Sequence, residues 1–239
     1  LRNLKSLNCN FVRGCHYPQS QTFIDLCDRL GFLVWEESLG WGNRPEQLAD
    51  SEFMALQEEQ TRLMVRNSIN HPAIVIWGFM NEFDSESQPG RTLCKRLMDA
   101  IHEEDSSRPA TFASCHATRD ICFDLVDIVA FNTYPGWIQE EYLEDPPAAI
   151  RKNLDAIIDY IRSVVPADKP VMASEMGTCA LYGEHDRAAA QWSEEFQAEY
   201  LEEAIRNVLA SKELCGLALW QMNDAKSYHR KGANIRCKP

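Results

Sequence analysis

The sequence predicts an α/β fold, a (β/α)8 or TIM barrel of parallel strands, on three observations. Short apolar runs alternate with amphipathic helical patterns along all 239 residues, as in a parallel sheet covered by helices. Nearly every run ends in a polar or aromatic residue: Arg13, Glu36, Glu82, Asn132, Glu175 and Trp220. The carboxyl ends of barrel strands open onto one face, so successive endings of this kind form one polar ring, whereas an open sheet gathers its site at a single switch point. Finally, neither G-x-G-x-x-G nor G-x-x-x-x-G-K-[ST] occurs, which removes the common nucleotide-binding α/β folds.

The chain opens on an amphipathic helical turn (Leu1, Leu4, Leu7) and enters a strand at residues 10–13. A helix follows with Ser20 as its cap and Phe23, Ile24, Cys27 and Leu30 on one face. The next strand is 32–36. After a loop bearing Gly40-Trp41-Gly42-Asn43-Arg44-Pro45, a helix over about 51–66 carries Phe53, Leu56, Leu63 and Met64 at helical spacing. A strand over 74–78 leads toward Glu82, and a helix places Leu93, Leu97, Met98 and Ile101 together. Strands at 110–113 and 128–132 precede a helix bearing Ile150, Leu154, Ile157, Ile158, Ile161 and Val165. Strand 170–175, a helix near 188–211 (Phe196, Tyr200, Ile205, Val208, Leu209) and strand 216–221 complete the series. These strands are one fewer than a closed barrel needs. Because a helix precedes the first of them, the missing strand is expected upstream, and residues 1–239 are expected to be one incomplete catalytic barrel domain from a longer chain.

Composition narrows the partners. With 24 basic and 36 acidic residues the net charge is −12, which argues against nonspecific nucleic-acid or anionic-membrane binding. No stretch of 18 apolar residues and no signal-peptide core is present. Nine scattered cysteines, with no C-x-x-C, read as reduced thiols and point to the cytoplasm, Cys27, Cys94 and Cys215 packing as small hydrophobes. Neither a metal nor a cofactor is expected, since the six histidines lack ligand spacing.

Glu82, preceded by Asn81, and Glu175, followed by Met176-Gly177, are the candidate catalytic pair. Each alone has the bland reading of a turn or cap residue. Together, at the ends of two strands three apart, they fit an acid and a nucleophile meeting over one pocket. His16 and Arg13 belong to the same face; a packing histidine and a structural ion pair are the plain alternatives, and Arg13 is expected near the nucleophile, favouring its ionised form. Tyr134 and Trp137 can stack on sugar rings, and Trp77, Trp220 and Trp41 could join them; core packing is the equal alternative for each, strongest for Trp77 and weakest for Trp220.

Five ordered motifs resemble the catalytic barrel of family 2 glycoside hydrolases, the β-galactosidase/β-glucuronidase group. They are residues 10–18 (NFVRGCHYP), 31–37 (GFLVWEE), 71–77 (HPAIVIW), Asn81-Glu82 and Ser174-Glu175-Met176-Gly177, and the resemblance spans essentially the whole chain. It implies Glu82 as general acid/base and Glu175 as nucleophile, with His16, Glu37, Asn81, Asn132, Tyr134 and Trp220 contacting the sugar. It also implies an exo-acting retaining β-glycosidase that hydrolyses terminal β-linked sugars, galactosides or glucuronides, by double displacement, with carboxyl groups about 5–5.5 Å apart in the intact site. A homo-oligomeric full-length protein with a carbohydrate as its partner is expected.

Members of the family carry a further strand and usually a jelly-roll and an immunoglobulin-like domain upstream. The glucuronidases share the Asn-x-Tyr-x-Gly-Trp pattern of 132–137 but place an Asn-x-Lys motif after the last strand, where this chain has Asn234-Ile235-Arg236 in a basic tail. The rival classes are a noncatalytic sugar-binding or scaffolding barrel, against which both retained glutamates speak, and a metal-dependent hydrolase, which needs clustered histidines.

Overall fold

A computed structural model describes residues 1–137 and 146–223. Fourteen elements alternate along it: α1 (Arg2–Ser6), β1 (Phe11–Gly14), α2 (Gln21–Leu30), β2 (Leu33–Trp41), α3 (Pro45–Leu48), α4 (Ser51–Ser68), β3 (Ile74–Asn81), α5 (Gln88–Glu104), β4 (Ala110–Ser114), β5 (Val129–Asn132), α6 (Pro146–Val164), β6 (Val171–Met176), α7 (Glu194–Ala210) and β7 (Leu214–Leu219). The strands follow one another through a seven-stranded sheet in chain order, and β1 through β5 pair in parallel. That is the expected barrel order with one strand fewer than eight. The tail bearing Asn234-Ile235-Arg236 lies outside the described residues.

The chain divides into two compact units. The first comprises Leu1–Phe131 and Tyr160–Met172. Its helices start where the side chains dictate: Ser20 accepts from the Phe23 amide, Asp50 from Glu52 and Phe53, and Ser87 from Gly90. Trp35, Ile76, Ala113, Ile128, Ala130 and Met172 form one cluster of the buried core. The nitrogen edge of the Trp35 indole comes up against Gly78, where a Cβ would fall 1.7 Å from the indole nitrogen.

Strand β2 runs to Trp41, five residues beyond the expected end at Glu36. The polar run Glu36-Glu37-Ser38 resembles a strand end, yet every member is buried with a partner. Side chains alternate across the sheet: Glu36 and Ser38 bond to Ser68 (3.2 Å) and Thr61 (2.9 Å) of α4, while Glu37 bonds to Arg13 of β1. Glu36 therefore does not join the polar ring; its neighbour Glu37 takes that face. The same contacts correct the face of α4. Leu56 and Leu63 are exposed, and the buried residues are Gln57, Thr61, Met64, Val65 and Ser68, because the strand beneath is itself polar.

The second unit comprises Asn132–Asp159 and Ala173–Pro239, described to residue 223. Helix α7 is capped by Ser193, which accepts from Phe196, and buries Phe196, Tyr200, Ala204 and Val208 at successive turns. Ile205 and Leu209, expected on that face, are exposed. Strands β6 and β7 come so close beyond Glu175 that a Cβ on Gly177 would lie 2.1 Å from the Trp220 carbonyl oxygen. Trp220 itself is half-buried, its amide bonded to the Met176 carbonyl at 2.9 Å.

Candidate active site

In the first unit, Glu82 follows β3 directly. Phe79 and Met80 stand opposite Phe112 alone, since Gly78 pairs with Thr111 and Asn81 with Ala113. Such a bulge turns the side chains after it. Met80 and Glu82 take positive φ, 47° and 51°, a region costly for residues with a Cβ and frequent at functional sites. The turned strand is held by bonds from the Glu82 amide to the Ala113 carbonyl (2.9 Å) and from the Gly42 amide to the Asn81 carbonyl (2.9 Å).

Around Glu82 lies a chain of contacts. Asn81 is buried and accepts from Arg13 Nη2 at 2.8 Å. Arg13 also donates to Glu37, with Nε and Nη2 2.9 and 2.7 Å from Oε2, and its guanidinium sits 4.9 Å over the Trp35 ring. The wholly buried Glu37 offers its other oxygen to His16 Nδ1 at 3.0 Å. His16 stacks nearly parallel to Trp41, centroids 6.1 Å apart, and the Trp41 indole donates to Glu82 Oε2 at 3.4 Å. Arg13, His16, Glu37 and Asn81 thus form one network, with Glu37 as its buried anchor. Arg13, expected beside the nucleophile, is anchored in it by Glu37 and Asn81.

In the second unit, Glu175 is buried at the end of β6 and accepts a hydrogen bond from the Tyr134 hydroxyl. That donor fixes one carboxyl oxygen and with it the plane of the carboxyl group. The Thr133 amide bonds to the Glu175 carbonyl (2.9 Å), and Ser174 donates to Asn132 Oδ1 (2.8 Å), tying the ends of β5 and β6 together. Trp137 leans on Tyr134 with ring centroids 5.5 Å apart and donates to Cys179 Sγ at 3.2 Å. Trp77, read as core, is fully buried with its indole on Asp105 (2.9 Å).

Two groups among the described residues have ligand atoms close enough for a cation: Asp25, Asp28 and His71, and Asp84, Glu86 and His116. In the first, Asp28 (2.6 Å) and Gln21 (2.9 Å) already engage both His71 ring nitrogens. The second gathers half-buried and exposed side chains. None of the eight cysteines among the described residues is in a disulfide; Cys27 and Cys94 are buried as expected, but Cys215 is exposed.

The family model "Glycosyl hydrolases family 2, TIM barrel domain" matches residues 1–234. The chain belongs to glycosyl hydrolase family 2. A curated relative, the β-glucuronidase of Mus musculus, is 31% identical over 226 residues, covering 92% of this chain and 34% of the relative. Among solved structures, a family 2 β-galacturonidase from Eisenbergiella tayi bound to galacturonate superposes with a TM-score of 0.84 at 33% identity, covering 91% of this chain and 38% of that one. The Bifidobacterium dentium β-glucuronidase complexed with coumarin-3-O-glucuronide gives 0.88 at 27%, covering 99% and 39%. The chain therefore spans between a third and two fifths of these family 2 proteins. Glu82 and Glu175, picked out by their places near strand ends, are the residue after β3 and the next-to-last residue of β6. The Trp41 contact to Glu82 was not anticipated, because it depends on a bulge that no residue pattern announces.

Proposed function

We propose that the full-length protein is an exo-acting, retaining β-glycosidase for terminal β-linked uronic acids, with Glu175 as nucleophile and Glu82 as acid/base. The observation carrying this reading is the difference between the two carboxyls: Glu175 is buried and oriented by the Tyr134 hydroxyl, while Glu82 is half-buried on a turned backbone. A nucleophile needs a fixed line of attack, and an acid/base must reach both the leaving oxygen and water. The names of the relatives support a uronide.

In the first step a Glu175 oxygen bonds to the anomeric carbon as the bond from that carbon to the glycosidic oxygen breaks, and Glu82 gives its proton to that oxygen. In the second step Glu82, now a carboxylate, takes a proton from water; the water oxygen bonds to the anomeric carbon and Glu175 is released. Arg13, Glu37 and Asn81 hold the segment carrying Glu82, and Asn132 and Trp220 join Tyr134 in the second unit's share of the sugar contacts.

The test uses the full-length protein. Glu175→Gln abolishes turnover of every β-glycoside. Glu82→Ala keeps the first step for aryl glycosides whose leaving group needs no proton, and azide restores the second. Equal loss on good and poor leaving groups in both variants sinks the assignment.

A further inference from the structure

Trp41 is half exposed beside the proposed acid/base, an unusual place for an indole. Its position is fixed from several sides. It pairs with Asn81 in the β2–β3 register, the Gly42 amide bonds to the Asn81 carbonyl (2.9 Å), and the Asp84 amide bonds to the Asn43 carbonyl (2.9 Å). Segments 41–43 and 81–84 are therefore laced together on both sides of Glu82. Gly40 (φ +140°) packs so tightly on Met80 that a Cβ there would lie 2.7 Å from the Met80 side chain. One edge of the indole is tethered to Glu82 Oε2, and the ring lies parallel to His16, which Glu37 holds from behind.

We propose that Trp41, backed by His16, is a leaving-group platform that selects glycosides of planar aromatic alcohols. The inference rests on Glu82 being the acid/base. The oxygen that Glu82 protonates joins the sugar to the leaving group, so the first atoms of that group lie within hydrogen-bond reach of Glu82, beside the ring that Glu82 tethers. A flat, preformed aromatic surface rewards a flat partner through offset stacking and adds little for a puckered aliphatic one. The glycone stays the business of the residues around Glu175; Trp41 acts on what leaves.

The experiment measures calorimetric binding of phenyl 1-thio-β-D-glucuronide and its cyclohexyl counterpart to the full-length protein, with the galacturonide pair run in parallel. Thio linkages resist hydrolysis, so leaving-group chemistry does not enter. The wild type prefers phenyl about threefold to tenfold. Trp41→Ala erases that preference, and Trp41→Phe, which keeps a ring but lacks the indole N–H, retains most of it. A preference unchanged in Trp41→Ala, equal loss in both variants, or no binding of either pair to the wild type overturns the proposal. Absence of hydrolysis of aryl glycosides by a wild type that still shows the preference overturns the glycosidase reading and with it the leaving-group role, leaving Trp41 as a surface for aromatic ligands only.

Discussion

Glu36 and Glu37 are adjacent on β2 and face opposite ways. Burial pushes the Glu36 carboxyl up from 4.5 to about 7, only partly offset by the Ser68 hydroxyl, and its Oε2 has no hydrogen-bond partner. A folded-state value above the unfolded one means that the fold favours the protonated acid. Its contribution is complete below about pH 4.5, falls as pH rises, and is gone above about 7. The difference amounts to about 3 kcal/mol. Glu36→Gln removes this penalty, so its urea midpoint exceeds that of the wild type at pH 8 and the gap closes at pH 4.5. An equal gap at both values refutes the argument. Asp120, pushed up to about 6 by burial although the Ser114 and Ser85 hydroxyls pull it down, adds a smaller slope of the same sign that Glu36→Gln leaves in place. Glu37 is a different case, because its charge is matched by Arg13. Glu37→Ala strands a buried guanidinium and costs about 3–5 kcal/mol in chemical denaturation, whereas the pair Arg13→Met with Glu37→Leu recovers most of that stability without recovering activity. Sequence position alone brought out Glu82, Glu175, Asn81 and Tyr134, since each ends or follows a strand. It could not tell Glu36 from Glu37, because the facing residue of an alternating strand depends on the register with β1.

At the level of elements, two close approaches carry the sheet. Alanine at Gly78 would collide with Trp35, which cannot move without disturbing the packing under Arg13. Alanine at Gly177 would meet the Trp220 carbonyl, a backbone atom with nowhere to go. Each substitution costs about 3 kcal/mol or more, read from the thermal midpoint. Leu56→Glu and Leu63→Glu on the exposed side of α4 stay within about 0.5 kcal/mol of the wild type. A result reversing these orders contradicts the assigned faces. Most strand and helix identities were legible, from Ser20 at the start of α2 to the β-rich run before Glu175, but α3 and the end of β2 fell in and beside the segment read as a loop. The buried face of α4 was not, because Thr61 and Ser68 are buried for their hydrogen bonds to β2, and an apolar periodicity overlooks such positions.

For the whole molecule, strand order is the controlling fact. Among the described residues seven strands run in chain order with β1 and β7 outermost, and β7 carries half-exposed Leu214 and exposed Leu219. Under the proposed function, residues 1–239 produced alone are expected to self-associate through these edges and to hydrolyse aryl β-uronides more slowly than the full-length protein. Light scattering after size exclusion, together with a rate assay, decides this; a fully active monomer from residues 1–239 would refute it. The scattered cysteines offer a way to follow the molecule in motion. Cys115 and Cys215 are open to a maleimide, Cys9 and Cys15 are half-shielded, and Cys27, Cys94, Cys122 and Cys179 are sealed in. Burial also pushes the Cys27 thiol up to about 11, which withholds the thiolate for as long as the residue stays buried. A timed pulse of alkylating reagent read by mass spectrometry thus turns the sealed thiols into a clock. Cys94 and Cys122 record each opening of the first unit and Cys179 each opening of the second, so doubly modified molecules report directly whether the two halves breathe in concert.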